Sequence, residues 1–434
     1  MNRLIFPILL LCLPACQATL AQPRQLDEYS WEGVERIVAV GDIHGDYDNF
    51  METLRLAGLV NRRGRWSGGT AHLVQTGDIP DRGPDTRKIM DYIDKLAEQA
   101  EDDGGRVHRL IGNHEAMNLY GDLRYVTDEE FGAFKGRNSQ ALLDRYFELV
   151  MQDMQKNQPE AYAELSENYR EEWEAEHPPG FVEHQQAWNP AWNPDGEYAR
   201  RTLGLKTAVK INGIVFVHGG ISDLYADMSL ESLTKQAREG LANFDHDNPG
   251  LVEDECGPLW YRGLASGAPE ASPELVTSIL ERLSAQRIVI GHTPTPGVIW
   301  PRYDGRVVQI DTGISAAYGG NPAYLEISGE GLSAGYPEGK LPLPRSDAER
   351  LAYLDAVIEM DPNNSALKRF RDHLTVPEEP AAQAVEGGSE EAAARSEDEA
   401  PQAHGAESGE AEQPPDAEVK TCLKEAPIES AAAL

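Results

Sequence analysis

Five apolar segments of the chain each run directly into a glycine-flanked polar motif, and this repeated arrangement limits the folds that the chain can adopt. The motifs are GDIHG at 41–45, GDIPDRG at 77–83, GNHE at 112–115, HGG at 218–220 and GHTP at 291–294. The apolar segments before them predict buried strands, and the glycines allow a tight turn after each strand. Because ligands bind at the carboxyl ends of strands in open α/β sheets, the five motifs predict one shared site.

The polar residues of these motifs are of the types that bind divalent metals. Side chains alternate between the two faces of a strand, so Asp42 and His44 would project the same way. Taken singly, His218 or His292 is more typical of a core histidine than of a metal ligand, but the combination with acidic residues favours a metal site. The six candidate ligands are Asp42, His44, Asp78, Asn113, His218 and His292.

The chemistry of this ligand set points to a reaction class. Oxygen and imidazole ligands suit Mn, Fe or Zn, and the motifs contain no thiolate that would select a softer ion. Six ligands suit two ions better than one. Two ions about 3.5–4 Å apart, bridged by one carboxylate, bind both the attacking hydroxide and the oxygens of an in-line phosphoryl displacement. The sequence therefore predicts a binuclear-metal phosphoesterase, which is a hydrolase.

Short apolar strands alternate with helical patterns along the chain, which predicts an α/β fold. Between two apolar runs, Asn212 and Gly213 predict a β-hairpin, so part of the sheet structure is expected to be antiparallel. The predicted strands are 36–40, 72–76, 107–111, 206–217, 287–290, 307–310 and 323–327. The architecture is therefore expected to be mixed, with both parallel and antiparallel pairs.

Residues 119–201 differ in composition from the flanking segments and predict a helical insertion. Long charged stretches at 138–155 and 159–177 favour helices, and the insertion ends in the loop sequence WNPAWNP at 188–194. The loop that carries Trp188 and Trp192 is either a lid that reads the substrate or a loop pinned to the helices by its tryptophans. After residue 345, a C-terminal helical segment is expected over 346–376, with a helix from Ser346 to Met360.

The first 21 residues have the features of an export signal. A basic residue, Arg3, precedes an apolar run at 4–15 that is too short to span a bilayer. Cleavage after Ala21 is the favoured processing route, and lipidation of Cys16 is the alternative. We therefore expect export to a bacterial periplasm, or a lipoprotein anchored to the membrane at Cys16, with no transmembrane segment.

The acidic character of the chain excludes one class of partner. A formal net charge of −34 argues against nucleic-acid binding, because a phosphate backbone requires Lys and Arg to replace its counterions. Residues 377–434 carry 15 Asp and Glu against 3 Lys and Arg and almost no aliphatic periodicity, which predicts a disordered acidic tail. The catalytic domain would then span 22–345. Beyond the signal, the two cysteines Cys256 and Cys422 leave a long-range disulfide open without supporting it.

As a set, GDIHG, GDIPDRG, GNHE, HGG and GHTP resemble the phosphoprotein-phosphatase branch of the calcineurin-like metallophosphoesterases. Within that branch, GDIPDRG, Ile111 before GNHE, and GPLWYRG at 257–263 look most like the bacterial Shewanella-like protein phosphatases. The resemblance covers roughly residues 35–330. It implies an α/β sandwich of two mixed β-sheets flanked by helices, with metals at the strand ends and the helical insertion beside the cleft.

The resemblance also implies a role for each matching residue. Asp42 and His44 would bind the first metal, Asp78 would bridge both, and Asn113, His218 and His292 would complete the second metal site. His114 would be the general acid that protonates the leaving oxygen, with Asp81 orienting its ring. Arg82 and Arg262 would bind the phosphate oxygens, and Tyr318 falls where the family places an active-site aromatic residue. By its position, Glu115 is expected to cap the helix that follows.

The expected activity is hydrolysis of phosphomonoesters by attack of a metal-bridging hydroxide. The resemblance favours a phosphoprotein substrate, and phosphotyrosine over phosphoserine or phosphothreonine. A small-molecule phosphoesterase acting on a nucleotide or dinucleoside polyphosphate is the alternative within the enzyme class. A binding protein on an inactive phosphatase fold is the alternative of another class, and the intact ligand set together with His114 argues against it.

Overall fold

The apolar segments that end in polar motifs form four central strands and one edge strand, Arg106–Arg109, of two six-stranded mixed sheets. The computed structural model describes residues 29–267, 271–375 and 421–424. The described strands are β1 (Ser30–Trp31), β2 (Arg36–Val40), β3 (His72–Gln75), β4 (Arg106–Arg109), β5 (Ala208–Ile211), β6 (Ile214–Val217), β7 (Arg287–Ile290), β8 (Trp300–Arg302), β9 (Val307–Gln309), β10 (Tyr324–Ser328), β11 (Gly331–Tyr336) and β12 (Gly339–Pro342). The described α-helices are α1 (Tyr47–Leu56), α2 (Thr86–Asp102), α3 (Asn113–Tyr120), α4 (Asp128–Phe134), α5 (Ser139–Asn157), α6 (Pro159–Ala163), α7 (Tyr169–Glu176), α8 (Phe181–Trp188), α9 (Glu197–Leu203), α10 (Leu230–Ala242), α11 (Gly263–Ser266), α12 (Pro273–Arg282), α13 (Arg350–Met360) and α14 (Ser365–Thr375).

Parallel and antiparallel pairs occur in both sheets. One sheet has the strand order β12-β11-β10-β2-β3-β4, in which β2, β3 and β4 are parallel and β10 is antiparallel to β2. The other has the order β1-β5-β6-β7-β9-β8, in which β6, β7 and β9 are parallel. The predicted sandwich of two mixed sheets flanked by helices is confirmed.

Side chains of the central strands alternate between two buried faces. Ile37 and Ala39 of β2 join the core between the sheets, together with Val289 of the opposite sheet. Val38 and Val40 instead belong to the core that β2 shares with α1 and α2. A strand with both faces buried reads as a continuous apolar run, which is why the central strands were predictable from the sequence.

The predicted hairpin is confirmed, with β5 and β6 paired antiparallel and Ile211 opposite Ile214. Its two turn residues, Asn212 and Gly213, have φ values of 51° and 72°. Both values lie in the left-handed region that a two-residue type I′ turn requires, and Asn and Gly tolerate that region best.

The segment predicted as a helical insertion contains the helices α4 to α9 and a small core of its own. Phe131, Leu143, Trp173 and Phe181 are buried together in that core. The helix-forming stretch predicted over 159–177 is divided between α6 and α7. The intervening residues 164–168 include Ser and Asn, whose side chains compete with the helical backbone for hydrogen bonds.

The two tryptophans of the WNPAWNP loop have different environments. Trp188 is fully buried, and its ring stacks on Tyr198 with 5.4 Å between the ring centroids. Trp192 remains 37% exposed. The interpretation as a loop pinned to the helices therefore holds for Trp188, and the partly exposed ring of Trp192 also contacts α5, with 4.9 Å between its centroid and that of Tyr146.

Beyond β10, the chain forms one hairpin that the sequence pattern did not predict and the helix that it did predict. The antiparallel hairpin of β11 and β12 extends the sheet, and the predicted helix begins at Arg350 as α13. Tyr353 of α13 lies 2.6 Å, hydroxyl to hydroxyl, from Tyr336 of β11, which attaches the helix to the sandwich. Across the described ranges, no helix combines the length and apolar character needed to cross a membrane.

The predicted signal segment, including Cys16, lies outside the described residues, as does most of the predicted tail. Residues 421–424 are described, and Cys422 forms a disulfide with Cys256. The Lys424 backbone N–H donates to an Asp223 carboxylate oxygen at 2.8 Å. This short segment is therefore attached to the domain immediately before the GPLWYRG loop.

Candidate active site and metal centre

The loops after five strands, β2, β3, β4, β6 and β7, meet at one edge of the sandwich. The backbone N–H groups of Ile43 and His44 donate to the carbonyl oxygen of Asp78 at 2.9 and 3.0 Å, which joins the first two motifs. The His218 ring nitrogen Nδ1 lies 3.0 Å from the carbonyl oxygen of Thr76, which joins motifs from opposite sheets. The predicted convergence of the strand ends is thus observed.

Unusual backbone geometry is concentrated in these loops. Five non-glycine residues of the motifs have φ between 46° and 72°. They are His44, Asp78, Asp81, Arg82 and His292. Such conformations cost of order 1–3 kcal/mol each and persist where surrounding contacts enforce them, which is common at functional sites.

The glycines of the motifs allow carboxylates to approach the backbone closely. A Cβ atom on Gly112 would overlap Oδ1 of Asp78, and a Cβ atom on Gly291 would overlap Oδ1 of Asp42. Any other residue at either position would displace the acidic side chain beside it.

Asp78 lies at the centre of two groups of potential metal ligands. One group contains His44, Asp78 and His114, and the other contains Asp78, His218 and His292, with the ligand atoms of each group within 4.8 Å of one another. The Asp78 atom Oδ2 is 3.8 Å from His44 Nε2 and 3.3 Å from His218 Nε2. A carboxylate shared by both groups is in the position that a bridging ligand requires.

The remaining two candidate ligands, Asn113 and Asp42, contact members of these groups. Asn113 Oδ1 is 2.9 Å from His218 Nε2, and the His292 backbone N–H donates to Asp42 Oδ2 at 3.0 Å. The structure therefore brings together all six residues that the sequence singled out as ligands.

The electrostatics of the buried groups fit divalent cations. Burial and then repulsion by Asp311 and Asp78 hold the pKa of Asp42 well above its ordinary value. Burial, followed by repulsion from His114, lowers the pKa of His44 to about 3. Neutral imidazole is the form that binds metals, and a cation would relieve the repulsion between the carboxylates. The donor set thus fits a dinuclear metal centre of the kind predicted.

His114 forms a close pair with Asp81. The Nδ1 atom lies 2.6 Å from Asp81 Oδ2, while Nε2 faces Asp78 Oδ2 at 3.9 Å. The other oxygen of Asp81 accepts a hydrogen bond from the Asn118 side chain at 2.9 Å. Burial acts to lower the pKa of His114, but attraction to Asp78 and the hydrogen bond to Asp81 raise the pKa above its ordinary value.

Two exposed arginines and a tyrosine lie beside this pair and the ligands. The guanidinium of Arg82 stacks 4.0 Å from the ring centroid of Tyr125 and 5.6 Å from that of Tyr318. Arg262 donates to the carbonyl oxygen of His292 at 2.9 Å, which holds it next to the second ligand group. All eleven residues predicted for the site are therefore found around it.

Glu115 has more contacts than helix capping alone requires. Its carboxylate accepts the backbone N–H groups of Asp78, Ile79 and Gly112 at 2.9, 2.8 and 2.8 Å. The bond to Gly112 is the predicted cap of α3, and the other two attach the GDIPDRG loop to that helix. Glu115 thereby fixes the backbone that carries Asp78.

Three further residues of the site were not predicted. Tyr125 packs on His114 with 5.0 Å between the ring centroids, Asn118 holds Asp81, and Asp311 is a buried acid whose charge acts on Asp42. Asn118 was recognisable in principle, because a residue four positions after His114 lies on the same face of a helix. No sequence spacing relates Tyr125 or Asp311 to the motif residues that they contact.

A family model provides the decisive comparison. The calcineurin-like phosphoesterase model matches residues 35–296, which is more than half of the chain. The chain belongs to the calcineurin-like phosphoesterase family. The resemblance inferred from the motifs is thereby confirmed, and the protein is a metal-dependent phosphatase of the hydrolase class.

Relatives of this calcineurin-like phosphoesterase include the Shewanella-like phosphatases. Shewanella-like protein phosphatase 2 of Arabidopsis thaliana is 29% identical over 72% of this chain and 79% of its own. An uncharacterized protein of Schizosaccharomyces pombe is 35% identical over 67% of this chain and 77% of its own. The crystal structure of a cold-active protein-tyrosine phosphatase of a psychrophilic Shewanella is similar with a TM-score of 0.53 and 25% identity, covering 72% of this chain and 81% of that one.

Proposed function

We propose that this phosphatase hydrolyses phosphomonoesters on proteins and that it prefers phosphotyrosine. The observation that carries the proposal is the His114–Asp81 pair, 2.6 Å apart, beside the shared ligand Asp78 and two exposed arginines. This combination offers a proton donor, a metal-binding carboxylate and phosphate-binding cations within one cleft.

The metal-binding roles follow the two ligand groups. Asp42 and His44 would hold the first ion, and Asp78 would be shared. The second ion would be held by Asn113, His218 and His292. When bound, the two ions, for which Mn, Fe and Zn are the candidates, would polarise the phosphate and supply the hydroxide that attacks phosphorus directly.

His114 is the proposed general acid. With Nδ1 bonded to Asp81, the proton that can be transferred is the one on Nε2, which lies 3.9 Å from Asp78 Oδ2. That proton would pass to the leaving oxygen as the ester bond breaks. The raised pKa of His114 favours the imidazolium form that this step requires.

The arginines would hold the phosphate. The planar guanidinium groups of Arg82 and Arg262 can each bind two phosphate oxygens, which a lysine cannot do with the same geometry. The Arg262 contact with the His292 carbonyl would keep one of them in position.

Two observations support an aryl phosphate as the substrate. The ring centroid of Tyr125 lies 5.0 Å from that of His114, and the ring centroid of Tyr318 lies 5.0 Å from that of His44. Both tyrosine rings can pack on an aromatic leaving group. The similar Shewanella structure is that of a cold-active protein-tyrosine phosphatase.

The test is a matched substrate panel with the metal-reconstituted enzyme. We expect kcat/KM for a phosphotyrosine peptide to exceed that for the same peptide with phosphoserine or phosphothreonine by at least about tenfold, a difference of about 1.4 kcal/mol. Equal values would refute the tyrosine preference, and a higher kcat/KM for nucleotides or dinucleoside polyphosphates than for any peptide would refute the protein substrate.

We also propose that the protein is exported. The proposal rests on the signal-like sequence of residues 1–21, and the Cys256–Cys422 disulfide is of the kind that persists in oxidising compartments.

A further inference from the structure

A cavity of about 530 Å³ lies between the helical insertion and the end of α10. Residues of α5, α8 and the loop with Trp192 line it, together with residues 241–244 and His246. The volume falls within the range of about 300–1,000 Å³ that is typical of ligand pockets.

The chemistry of the lining selects an uncharged occupant. Five aromatic side chains line the cavity: Tyr120, Tyr146, Phe181, Trp192 and Phe244. Polar groups are contributed by the amides of Gln185, Asn189 and Asn243 and by the imidazole of His246. Among the described residues that line it there is no Asp, Glu, Lys or Arg, although 26% of the chain is charged. A charged side chain would find no carboxylate, ammonium or guanidinium partner there, whereas an aromatic or aliphatic one would find rings to pack on.

The Trp192 side of the cavity is held in place by the preceding turn. The Asn189 side chain accepts the Ala191 backbone N–H at 2.9 Å and donates to the Gln185 side chain at 3.2 Å. Trp188, at the end of the same helix, is fully buried. The partly exposed ring of Trp192 therefore extends from a fixed turn and packs beside Tyr146, with 4.9 Å between the ring centroids.

The cavity is close to the active site along the chain. Helix α3 begins with Asn113 and His114 and ends with Tyr120, which lines the cavity. A helix rises about 1.5 Å per residue, so the two ends of α3 are about 10 Å apart. An extended peptide covers that distance in three to four residues at about 3.3 Å each.

We propose that this cavity is a specificity subsite that receives an aromatic or aliphatic side chain of the phosphorylated polypeptide, three to four residues from the phosphorylated one. The inference rests on the proposed protein-phosphatase function. It gives the helical insertion a role in substrate selection, with Trp192 of the insertion and Phe244 after α10 as the residues that contact the substrate side chain.

The test uses phosphotyrosine peptides that differ only in one position. A series with Phe or Ser placed in turn at each of the four positions before and after the phosphotyrosine is compared by kcat/KM in the full-length, metal-reconstituted enzyme. We expect Phe to raise kcat/KM on the order of tenfold at one of the positions three or four residues away, as burial of a large apolar side chain implies.

Variants then assign that preference to the cavity. Trp192→Ala and Phe244→Ala, in separate segments of the lining, should each reduce the Phe preference at least several-fold, so the test does not depend on the folding of one variant. The matched control is Leu149→Ala, because Leu149 is 54% exposed on α5 and is not one of the cavity residues. Hydrolysis of a small aryl phosphate should be unchanged in all three.

The outcomes separate the two proposals. Phosphopeptide hydrolysis with no Phe preference at any position, or a preference that survives both cavity variants, overturns the subsite alone. Hydrolysis of the small aryl phosphate without hydrolysis of any phosphopeptide overturns the protein-phosphatase function and the subsite with it.

Discussion

The hydrogen bond between His114 and Asp81 gives the two nitrogens of the imidazole different environments. Nδ1 is occupied by the carboxylate, and Nε2 faces the shared ligand Asp78. By distance alone, His114 belongs to a ligand group with His44 and Asp78. The pairing with Asp81 favours proton donation over metal binding, because a carboxylate partner stabilises the protonated ring.

Replacing His114 with Ala should lower kcat by on the order of 10²–10⁴, the usual contribution of general acid catalysis. The loss should be greater for phenyl phosphate than for dinitrophenyl phosphate, because a good leaving group needs little protonation. Metal analysis should still find two ions per chain. An equal loss for both leaving groups would remove His114 from the proposed role.

Asp78→Asn is the contrasting variant. Because Asp78 is common to both ligand groups, its replacement should reduce the occupancy of both ions together. Exposed His373, replaced by Ala, serves as the control and should change neither kcat nor metal content.

At the scale of single residues, the sequence alone identified the site residues that lie within the motifs. The ligands, His114 and the arginines occur in short patterns whose spacing has a chemical reason. Tyr125 and Asp311 join the site because loops from distant parts of the chain end there. A local sequence pattern does not indicate contacts between distant loops, so these residues could be identified only from the three-dimensional structure.

Among the elements, the strands with two buried faces and the edge strand β4 were predictable, whereas three short edge strands were not. Strand β1 has two residues, β8 has three and contains Pro301, and β12 ends at Pro342. Short or proline-containing segments lack the apolar period of a strand and gain their conformation from pairing with a neighbour. Their positions follow from the sheet and not from their own sequence.

Helix α8 contains a buried histidine that makes the stability of the insertion depend on pH. His184 packs against Phe131 and Phe134, and burial lowers its pKa to about 3. In the unfolded chain the pKa would be about 6.5, so below that pH the unfolded state binds a proton that the folded state does not. The contribution of His184 to the free energy of unfolding is therefore largest above about pH 6.5 and decreases as the pH falls from 6.5 toward 3.

His184→Leu should make the free energy of unfolding less sensitive to acid. Between pH 6.5 and pH 5, wild type should lose about 2 kcal/mol more than the variant. The Nδ1 atom has no hydrogen-bond partner among the described residues, so Leu removes no bond at that atom. Urea unfolding followed by tryptophan fluorescence measures the difference. Identical pH dependence in wild type and variant would contradict the buried neutral state, and His373→Leu is the exposed control.

At the scale of the whole molecule, the Cys256–Cys422 disulfide joins residues 166 positions apart. The sequence left this pairing open, because the composition around Cys422 predicts no structure. Cys256 directly precedes the loop that carries Arg262, and the backbone N–H groups of Gly219 and Gly220 donate to Pro258 of the same loop. The disulfide therefore attaches the C-terminal segment next to the loop that supports the His218 motif.

Replacing Cys422 with Ser should lower the free energy of unfolding by roughly 2–5 kcal/mol, as expected when a long covalent loop is opened. Cys256→Ser should lower the free energy of unfolding by a similar amount. The double variant should be as stable as the less stable of the two single variants, since each change removes the same bond. Reduction of the wild type by a thiol should lower its stability to that of the variants. Deletion of 425–434, which keeps both cysteines, is the control and should leave stability unchanged. Wild type and Cys422→Ser of equal stability under oxidising conditions would show that the C-terminal attachment does not stabilise the catalytic domain.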